Sequence, residues 1–563
     1  MKVSKLVRLL GLSLIVLALS AGVVTAQDGP KVLHTGIGMV GGDLNTIDPA
    51  VSEVAGEHQI TTLLWPGVTV QDEETGEVVP GIATDWEVSE DGLTYTYNLV
   101  QEIPWVRYNA ETGEVEQVLD EDGNPRYVTA HDIVYGWRRT LDPETASPYA
   151  YVLQVVVQNG AEVAAGELPP EELGIVAVDD YTVQITLPEP LGFAPGIHGL
   201  WMATAQPAWS IEEGGDLWTE PEYISTYGSF ALKEWAHDES ITLIKNPFWP
   251  GTEHIQPAIL DEVVFHFLDQ QTQFAEFLAG TLDAIDVPLE ELERVQTDPE
   301  LSQMYSSGAR MCTYYLGFDN TEYPVNNANL RRALSLAIDR VSLVENVTRG
   351  GQIPAQWFSR PGLNAAPTLE THPDLGIWYD PEAAQESLQA ALDELGLSSI
   401  DELPPLTLSF NAQSGHEAIM QAIQQMWRDE LGLDVQLNAM DSTTYFSVVS
   451  QDAPMIWRTG WCQDYPDANN FLYDVLHSKS TQNDPGFSNA EYDALVERAR
   501  VSTDPDERLE LYAQAEEILV DQEAAIAPIY WYTTNQLTRP YVERTYSIIG
   551  DQAYNEWDIH RDE

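Results

Sequence analysis

Apolar residues recur along the chain in two patterns, one typical of strands and the other of helices. Residues 94–99 and 181–187 alternate apolar with polar side chains, which predicts two half-buried β-strands. Residues 525–532 form a nearly continuous apolar run, typical of a strand buried on both faces. Because strands and helices are interleaved throughout, the pattern predicts an α/β protein.

The helical pattern is clearest between Asp380 and Gly396. Asp380 and Pro381 provide an N-cap and a first-turn proline, leucines at helical spacing mark one apolar face, and Gly396 provides a stop. The same patterns place the remaining elements: helices over 330–341, 416–431 and 508–520, a strand over 433–437, and a hairpin between Trp105 and Thr129.

The first 26 residues have the composition of a secretory signal peptide. Lys2, Lys5 and Arg8 precede an apolar stretch over 9–21 that is too short to span a bilayer, and small residues stand at the two positions before a cleavage site. We expect cleavage after Ala26. No cysteine lies near that site, so the sequence predicts a soluble exported protein, periplasmic or extracellular, without a lipid anchor. An uncleaved N-terminal membrane anchor is the alternative.

The charge composition of the chain excludes nucleic acids as partners. The 563 residues carry a formal net charge of −64, with 90 acidic and 26 basic side chains. Such a surface repels nucleic acids, so no nucleic-acid partner is expected. The acid excess suggests a saline habitat, in which salt screens the self-repulsion; a lineage with acidic exported proteins is the alternative.

Motifs for catalysis and metal binding are not found in the sequence. It contains no His-Glu-x-x-His, no Gly-x-Ser-x-Gly and no glycine-rich phosphate loop followed by lysine. The 11 histidines are scattered and form no zinc pattern, and residues 120–124 lack the ligand spacing of a calcium loop. The sequence therefore predicts no enzyme, no cofactor and no metal site.

The two cysteines, Cys312 and Cys462, leave two interpretations open. In an exported protein they invite pairing, and the bond would close a loop of about 150 residues. The chain-entropy model values such a bond at about 5 kcal/mol, as an upper figure. Two separate buried thiols are the alternative.

Cys462 lies in the most informative segment of the chain, residues 458–464. Arg458, Trp461 and Asp464 provide a fixed cation, a large aromatic ring and a fixed anion within seven residues. These groups suit the two charged ends of a short peptide: Asp464 would bind the ammonium and Arg458 the carboxylate. In an extended strand the two positions are roughly 20 Å apart, enough for about three to five ligand residues. A structural salt bridge between them is the alternative.

Further segments resemble one protein family in the order in which they occur. The chain resembles the peptide/nickel class of ABC-transporter solute-binding proteins (bacterial extracellular solute-binding protein family 5), in its oligopeptide-binding branch. Each segment alone is a weak signal, but their joint order over most of the chain is specific. These segments are residues 47–49, Gly67, 80–86, 128–137, 142–150, 228–235, 246–249, 331–340, 458–465, 504–508, 511–512 and 521–530.

The resemblance implies a two-lobed, periplasmic-binding-protein-like clam of type II, with an extra inserted domain and a two-strand hinge. Ligand binds between the lobes and closes them. The disulfide between Cys312 and Cys462 is also implied. The implied domains are a signal peptide over 1–26, lobe I over 27–65 with 207–311 and 527–563, a small inserted domain II over 66–206, and lobe III over 312–526.

The resemblance also implies further residues of the site. Glu53 and Tyr149 would face the ligand from the other side of the cleft, and Trp461 and Tyr315 would form the wall of a side-chain pocket. The backbone around Gly460 would pair with the peptide as an added strand. A solvated acid is the alternative for Glu53, and core packing for Trp461 and Tyr315. Because a core disulfide conflicts with ideal alternation, we expect the pleat to break near Gly460.

The function implied is that of an exported receptor. It would capture short oligopeptides in the cleft as a monomer and deliver them to an ABC permease complex in the membrane, without breaking a bond. The same fold binding another solute, such as an oligosaccharide or a chelated metal, is one alternative. An exported hydrolase is another. A sugar site needs no paired terminal charges, so the orientation of Asp464 and Arg458 discriminates between these hypotheses.

Overall fold

The computed structural model describes residues 29–37, 42–412, 415–550 and 552–561, with the side chain of Thr443 left out. The signal peptide that the sequence predicts over 1–26 lies outside these ranges. Within them, no helix combines the length and the apolar character needed to cross a bilayer.

Strands and helices alternate along the described chain, as the sequence predicts. The strands are β1 (Val32–Gly36), β2 (Thr69–Gln71), β3 (Val78–Pro80), β4 (Ala83–Val88), β5 (Thr94–Leu99), β6 (Val106–Asn109), β7 (Glu114–Gln117), β8 (Ile175–Asp179), β9 (Thr182–Thr186), β10 (Phe230–Ala236), β11 (Ser240–Lys245), β12 (Glu262–His266), β13 (Ala284–Asp286), β14 (Tyr305–Phe318), β15 (Ile353–Pro354), β16 (Thr407–Asn411), β17 (Gln436–Met440), β18 (Ile456–Cys462), β19 (Ile526–Thr538), β20 (Val542–Glu543) and β21 (Asp558–Ile559).

The α-helices are α1 (Ala55–Leu64), α2 (Ala130–Leu141), α3 (Ala150–Leu153), α4 (Gly160–Ala164), α5 (Ala194–His198), α6 (Ala208–Gly214), α7 (Gln270–Ala279), α8 (Leu292–Thr297), α9 (Ala328–Leu336), α10 (Arg340–Leu343), α11 (Pro381–Leu395), α12 (His416–Leu431), α13 (Ser442–Gln451), α14 (Asn469–Leu472), α15 (Ala490–Val501) and α16 (Pro505–Glu517).

One long mixed sheet runs through the molecule. Its strand order is β10-β11-β12-β1-β13-β19-β14-β18-β16-β17, and β15 adds to β19. Parallel pairs occur in both halves of this order, β1 with β12 in one and β16 with β17 in the other, whereas β10, β11 and β12 are antiparallel at one end. The two longest strands, β14 and β19, are antiparallel neighbours in the middle of the sheet and connect its two halves. A separate antiparallel sheet, β4-β5-β9-β8, lies in the segment expected to form the inserted domain.

Two large hydrophobic cores lie on the two halves of this sheet. The first core is built mostly from residues between 33 and 267, together with Tyr465 and residues near the C-terminal end of the described chain. The second core is built from residues between 311 and 531. The mixed α/β class that the sequence predicts is therefore confirmed, whereas the domain boundaries stay a prediction.

Elements with strong local signals match their sequence-based expectations. Strand β5 and helix α12 have the bounds that the pattern predicts. Helix α11 begins where the Asp380 side chain accepts hydrogen bonds from the amides of Glu382 and Ala383, and it ends at Gly396, whose φ is +71°. An N-cap acceptor and a left-handed glycine satisfy the free backbone groups at the two ends of a helix.

Other expected elements are displaced or divided. The helix expected over 330–341 is two helices, α9 and α10, because the Asp339 side chain accepts from the amide of Ser342 and starts a new helix. The strand expected over 433–437 begins later, at Gln436, although Leu433 and Val435 are buried. In both cases the apolar pattern of the sequence extends beyond the bounds of the regular helix or strand.

Candidate ligand-binding site

A cavity of about 570 Å³ lies between the two cores. This volume is within the range of small-molecule sites in proteins. Glu53 and Tyr149 line it from the side of the first core. Trp461, Cys462 and Asp464 line it from the end of β18, on the side of the second core. Four of the ligand-binding residues expected from the sequence therefore meet at one cavity.

Asp464 is held in place by an asparagine six residues further along the chain. The Asn470 side-chain amide donates to Asp464 Oδ2 at 3.0 Å, and Asn470 Oδ1 accepts from the Asp464 amide at 2.9 Å. Burial raises the pKa of the Asp464 carboxyl to about 7, although the hydrogen bond from Asn470 acts in the opposite direction. A ligand cation in the cavity would favour the ionised form.

Tyr149 reaches Asp464 from the opposite wall. Burial, reinforced by the charge of the neighbouring Asp464, raises the pKa of Tyr149 well above its usual range. The ring packs edge-on against Trp201 at 4.9 Å between centroids, and His58 stacks on the same tryptophan at 3.4 Å. Burial lowers the pKa of His58 to about 3, so this aromatic wall is uncharged at neutral pH.

Glu53 lies just before helix α1, on the same side of the cavity as Tyr149. Its backbone amide donates to the Glu57 carboxylate at 2.7 Å, and Glu57 also caps the first turn of α1. The Glu53 carboxylate is exposed and contributes to the electrostatic environment of Tyr149. The capping interaction therefore fixes the backbone from which Glu53 faces the cavity.

Trp461 shares its hydrogen-bond partner with Asp464. The indole Nε1 donates to Asn470 Oδ1 at 3.1 Å, and the ring lines the cavity. Asn470 thus couples the aromatic and the acidic side chain of the site. Sequence reasoning did not identify this residue, and its signal was weak: a polar pair, Asn469 and Asn470, at the start of an apolar helical turn.

The disulfide between Cys312 and Cys462 is confirmed. The two residues are directly opposite each other in the antiparallel ladder of β14 and β18, which continues without a register shift to Phe318 and Ile456. The break expected near Gly460 is therefore wrong. No bulge is needed because opposed residues of a ladder share one face; Cys312 is buried there, whereas Cys462 is exposed at the cavity.

Arg458 lies on β18 but does not line the cavity. It is 7% exposed, and its Nε donates to Asn411 Oδ1 at 2.7 Å. The guanidinium lies over Tyr314, 5.6 Å from the ring centroid, and over Phe446 at 6.0 Å. The structure therefore places Arg458 within the second half of the molecule, away from Asp464.

Tyr315 and Gly460 also lie outside the lining of the cavity. Tyr315 is buried and packs edge-on against Phe358 at 4.9 Å. Gly460 is opposite Tyr314 in the ladder of β14 and β18. On the other edge of β18, β16 pairs only with Ile456 and Trp457, so residues 458–462 have no strand partner on that edge in the described part of the chain.

Two arginines that sequence reasoning did not identify line the cavity, Arg310 and Arg544. Arg349 does not line the cavity and forms an ion pair with Glu293 at the surface. The acidic side chains that line the cavity are Glu53, Glu73, Asp286, Asp464 and Glu556.

Comparisons with known proteins identify a family and its solved structures. The profile described as bacterial extracellular solute-binding proteins, family 5 (middle part), matches residues 77–483. The periplasmic oligopeptide-binding protein OppA of Salmonella typhimurium is 30% identical over 534 residues, covering 93% of this chain and 93% of that protein. The probable deoxycholate-binding periplasmic protein YgiS of Escherichia coli is 31% identical over 504 residues, covering 89% of this chain and 88% of that protein.

Structural comparison gives the same result for the fold. Haemophilus influenzae OppA in complex with RPPGFSPFR matches with a TM-score of 0.78 at 26% identity, covering 95% of this chain and 100% of that chain. The two-lobed, hinged α/β fold that the sequence predicts is therefore confirmed.

Proposed function

Because the chain belongs to the bacterial extracellular solute-binding proteins of family 5, we propose that it is a receptor for short oligopeptides. It captures them in the cavity between its lobes and delivers them to an ABC permease complex in the membrane. It acts as a monomer and breaks no bond. We also propose that residues 1–26 are a cleaved signal peptide and that the mature protein is exported without a lipid anchor.

One observation carries this proposal: Asp464 is a half-buried carboxylate at the cavity without a protein cation. No Lys, Arg or His nitrogen of the described residues lies within 4.0 Å of it, and no positive charge contributes to its raised pKa. A carboxylate that is partly removed from water is costly unless a cation compensates it. The ammonium group of a peptide supplies that cation, and Tyr149 and Glu53 line the same cavity.

The free edge of β18 supports binding of a peptide backbone. The strand β16 does not pair with residues 459–462, whereas the Arg458 carbonyl accepts a hydrogen bond from the Tyr445 hydroxyl. A peptide that adds to a sheet edge forms backbone hydrogen bonds that do not depend on its side chains. We propose that Gly460 takes part in this pairing and that Trp461 contacts a ligand side chain.

Arg458 remains our proposed partner for the carboxyl terminus of the peptide. A ligand that starts at Asp464 and runs along the edge of β18 proceeds towards Arg458, and a guanidinium can hold a carboxylate with two parallel hydrogen bonds. Tyr315 remains a proposed wall residue for ligands of that length.

A non-peptide solute is the second candidate ligand. The similar YgiS protein is named as a probable deoxycholate-binding protein, and the ring system of His58, Trp201 and Tyr149 offers an apolar wall. A ligand of this kind needs no ammonium group and would leave Asp464 without a cation.

The variant Asp464→Asn tests the proposal. We expect it to weaken the binding of tetraalanine by about 2–4 kcal/mol, because the ligand ammonium loses its buried counter-charge. Isothermal titration calorimetry at pH 7.5 measures the change. Asp434→Asn is the matched control, since that side chain is 80% exposed.

N-acetyl-tetraalanine completes a double-mutant cycle. Acetylation removes the ammonium, so it should weaken binding to the wild type and add little to the effect of Asp464→Asn. Equal affinities of the wild type for the free and the acetylated peptide would contradict the assignment of Asp464. Binding of deoxycholate but of neither peptide would favour the second candidate.

A further inference from the structure

Arg310 is a cavity residue whose charge the protein leaves uncompensated. The chain has 90 acidic and 26 basic side chains, and many of its arginines pair with a carboxylate, as Arg139 does with Asp48 and Arg508 with Asp467. Yet no carboxylate oxygen in the described ranges lies within 4.0 Å of the Arg310 guanidinium. Its Nε is also buried, without a hydrogen-bond partner.

The backbone places Arg310 at an irregularity of the central sheet. The register between β14 and β19 shifts between Ala309 and Thr313. The neighbouring Met311 amide donates to the Ile548 carbonyl at 3.1 Å instead. The guanidinium lies beside Gly550, with Nε 3.8 Å from the position that a Cβ of this residue would occupy. The shift thus directs a long cationic side chain to the wall of the cavity.

Arg544, the second arginine of the cavity, differs in having polar partners. Its Nη2 donates to Gln552 Oε1 at 2.7 Å and its Nε to the Thr545 carbonyl at 2.9 Å. Its guanidinium also lies 4.3 Å from the ring centroid of Trp557. Arg544 therefore has a structural role in the wall, whereas Arg310 has hydrogen-bonding capacity left over.

We propose that Arg310 binds a carboxylate group of the captured ligand and so contributes to specificity. A guanidinium at a cavity wall can hold a carboxylate with two parallel hydrogen bonds. The inference rests on the proposed function, because Arg310 precedes Cys312 by two residues and Asp464 follows Cys462 by two. Because β14 and β18 are antiparallel and the Gln463 amide still donates to the Met311 carbonyl at 3.0 Å, Arg310 and Asp464 lie on the same side of the disulfide. A ligand held by its ammonium at Asp464 therefore has its first residues near Arg310.

The carboxylate can come from two sources, the carboxyl terminus of a very short peptide or an acidic side chain near its amino terminus. A peptide set distinguishes them: dialanine and its C-terminal amide, and tetraalanine with Glu or Gln in the second or third position. Calorimetry with the wild-type protein first measures how much each ligand carboxylate contributes to the free energy of binding.

The protein variants are Arg310→Gln, Arg310→Lys and the matched control Arg498→Gln. Arg498 forms a surface ion pair with Glu507 at 2.9 Å, so its loss changes the net charge equally without changing the cavity. We expect Arg310→Gln to weaken binding of the carboxylate-bearing peptide about 10- to 100-fold, the effect of a lost charged hydrogen bond. Arg310→Lys should recover part of this loss, and Arg498→Gln should bind as the wild type does.

The two sources give different patterns. If the terminal carboxylate is bound, amidation of dialanine weakens binding to the wild type but not to Arg310→Gln. If an acidic side chain is bound, the wild type prefers Glu to Gln and the variant loses that preference. The inference is overturned if Arg310→Gln discriminates among the peptides as the wild type does. If the wild type binds none of the peptides, the proposed function is overturned as well. Failure of the proposed function can therefore be told apart from failure of the role of Arg310 alone.

Discussion

At the scale of single residues, the site is built around one carboxylate with an unusual environment. The Asn470 side chain donates to Asp464, but burial still raises the pKa of this carboxyl to about 7. The nearby Asp474, which accepts from Asn470 at 3.3 Å, also has a pKa raised by burial, to about 6. Desolvation is the main cause of both shifts, and a cation bound beside Asp464 would lower the pKa of that carboxyl again.

Proton release on peptide binding follows from this pKa. At pH 6 roughly nine tenths of a group with a pKa near 7 is protonated. An incoming ammonium favours the ionised form, so binding should release a proton and weaken as the pH falls below about 7. Above about pH 8 it should weaken again, because the peptide ammonium loses its own proton.

Calorimetry of tetraalanine binding at pH 6, in two buffers of different ionisation enthalpy, measures the protons released. The same titration of Asp464→Asn is the control and should show a much smaller release. An equal release from the wild type and this variant would mean that another group, such as Asp474, carries the linkage.

Sequence reasoning identified the site residues that stand together in one short segment. It missed residues whose role depends on which side chains lie near them in the folded protein. Asp464, Trp461 and Cys462 were recognisable because a charged, an aromatic and a sulfur-containing residue stand together. Arg310 has no motif, since its significance is the lack of a carboxylate near it in space. Asn470 was missed because side-chain hydrogen bonds to Asp464 and Trp461 leave no periodic pattern.

At the scale of elements, local signals and long-range pairing differ in how well the sequence predicts them. Helix α11 was predictable because Asp380 and Gly396 fix its ends within one turn. The bounds of β19 were not, because it continues to Thr538 through polar residues whose strand state depends on pairing with β13 and β14. The open edge of β18 is likewise a product of pairing between distant segments.

The disulfide links strands β14 and β18, and its removal should lower the free energy of unfolding of the protein. The bond links residues 150 positions apart. Loss of such a cross-link typically lowers the free energy of unfolding by about 2–5 kcal/mol, because the unfolded chain gains conformational freedom. The double variant Cys312→Ala and Cys462→Ala tests this in urea unfolding.

Wild-type protein whose disulfide has been reduced and alkylated should unfold at a similar urea concentration to the double variant. Unchanged stability of the double variant would show that the ladder between the two strands holds this region without the covalent bond.

At the scale of the whole molecule, contacts between the two cores bring the halves together beside the cavity. These contacts join the segment expected to form the inserted domain to the second half of the chain. They are a stacked pair of Phe193 and Tyr465 at 5.2 Å between centroids, an ion pair of Glu189 with Arg500, and a 3.2 Å hydrogen bond from Gln463 to Gln71. Tyr465 therefore packs with the first core although its neighbours in sequence belong to the second.

Salt should stabilise the whole protein, because its net charge of −64 is spread over the molecule. Screening shortens the range of the repulsion from roughly 30 Å at 0.01 M salt to about 3 Å at 1 M. We expect the melting temperature to rise over this range of sodium chloride. Sucrose, which adds no ions, is the control for a general solute effect. Greater stability in low salt would contradict a role for charge repulsion.

A crystal structure of the protein with bound tetraalanine tests the central claim most directly. The account predicts the peptide ammonium about 3 Å from an Asp464 carboxylate oxygen, with the peptide backbone paired to the free edge of β18. A peptide whose amino terminus lies away from Asp464, or a ligand bound outside the cavity between the two cores, would contradict it.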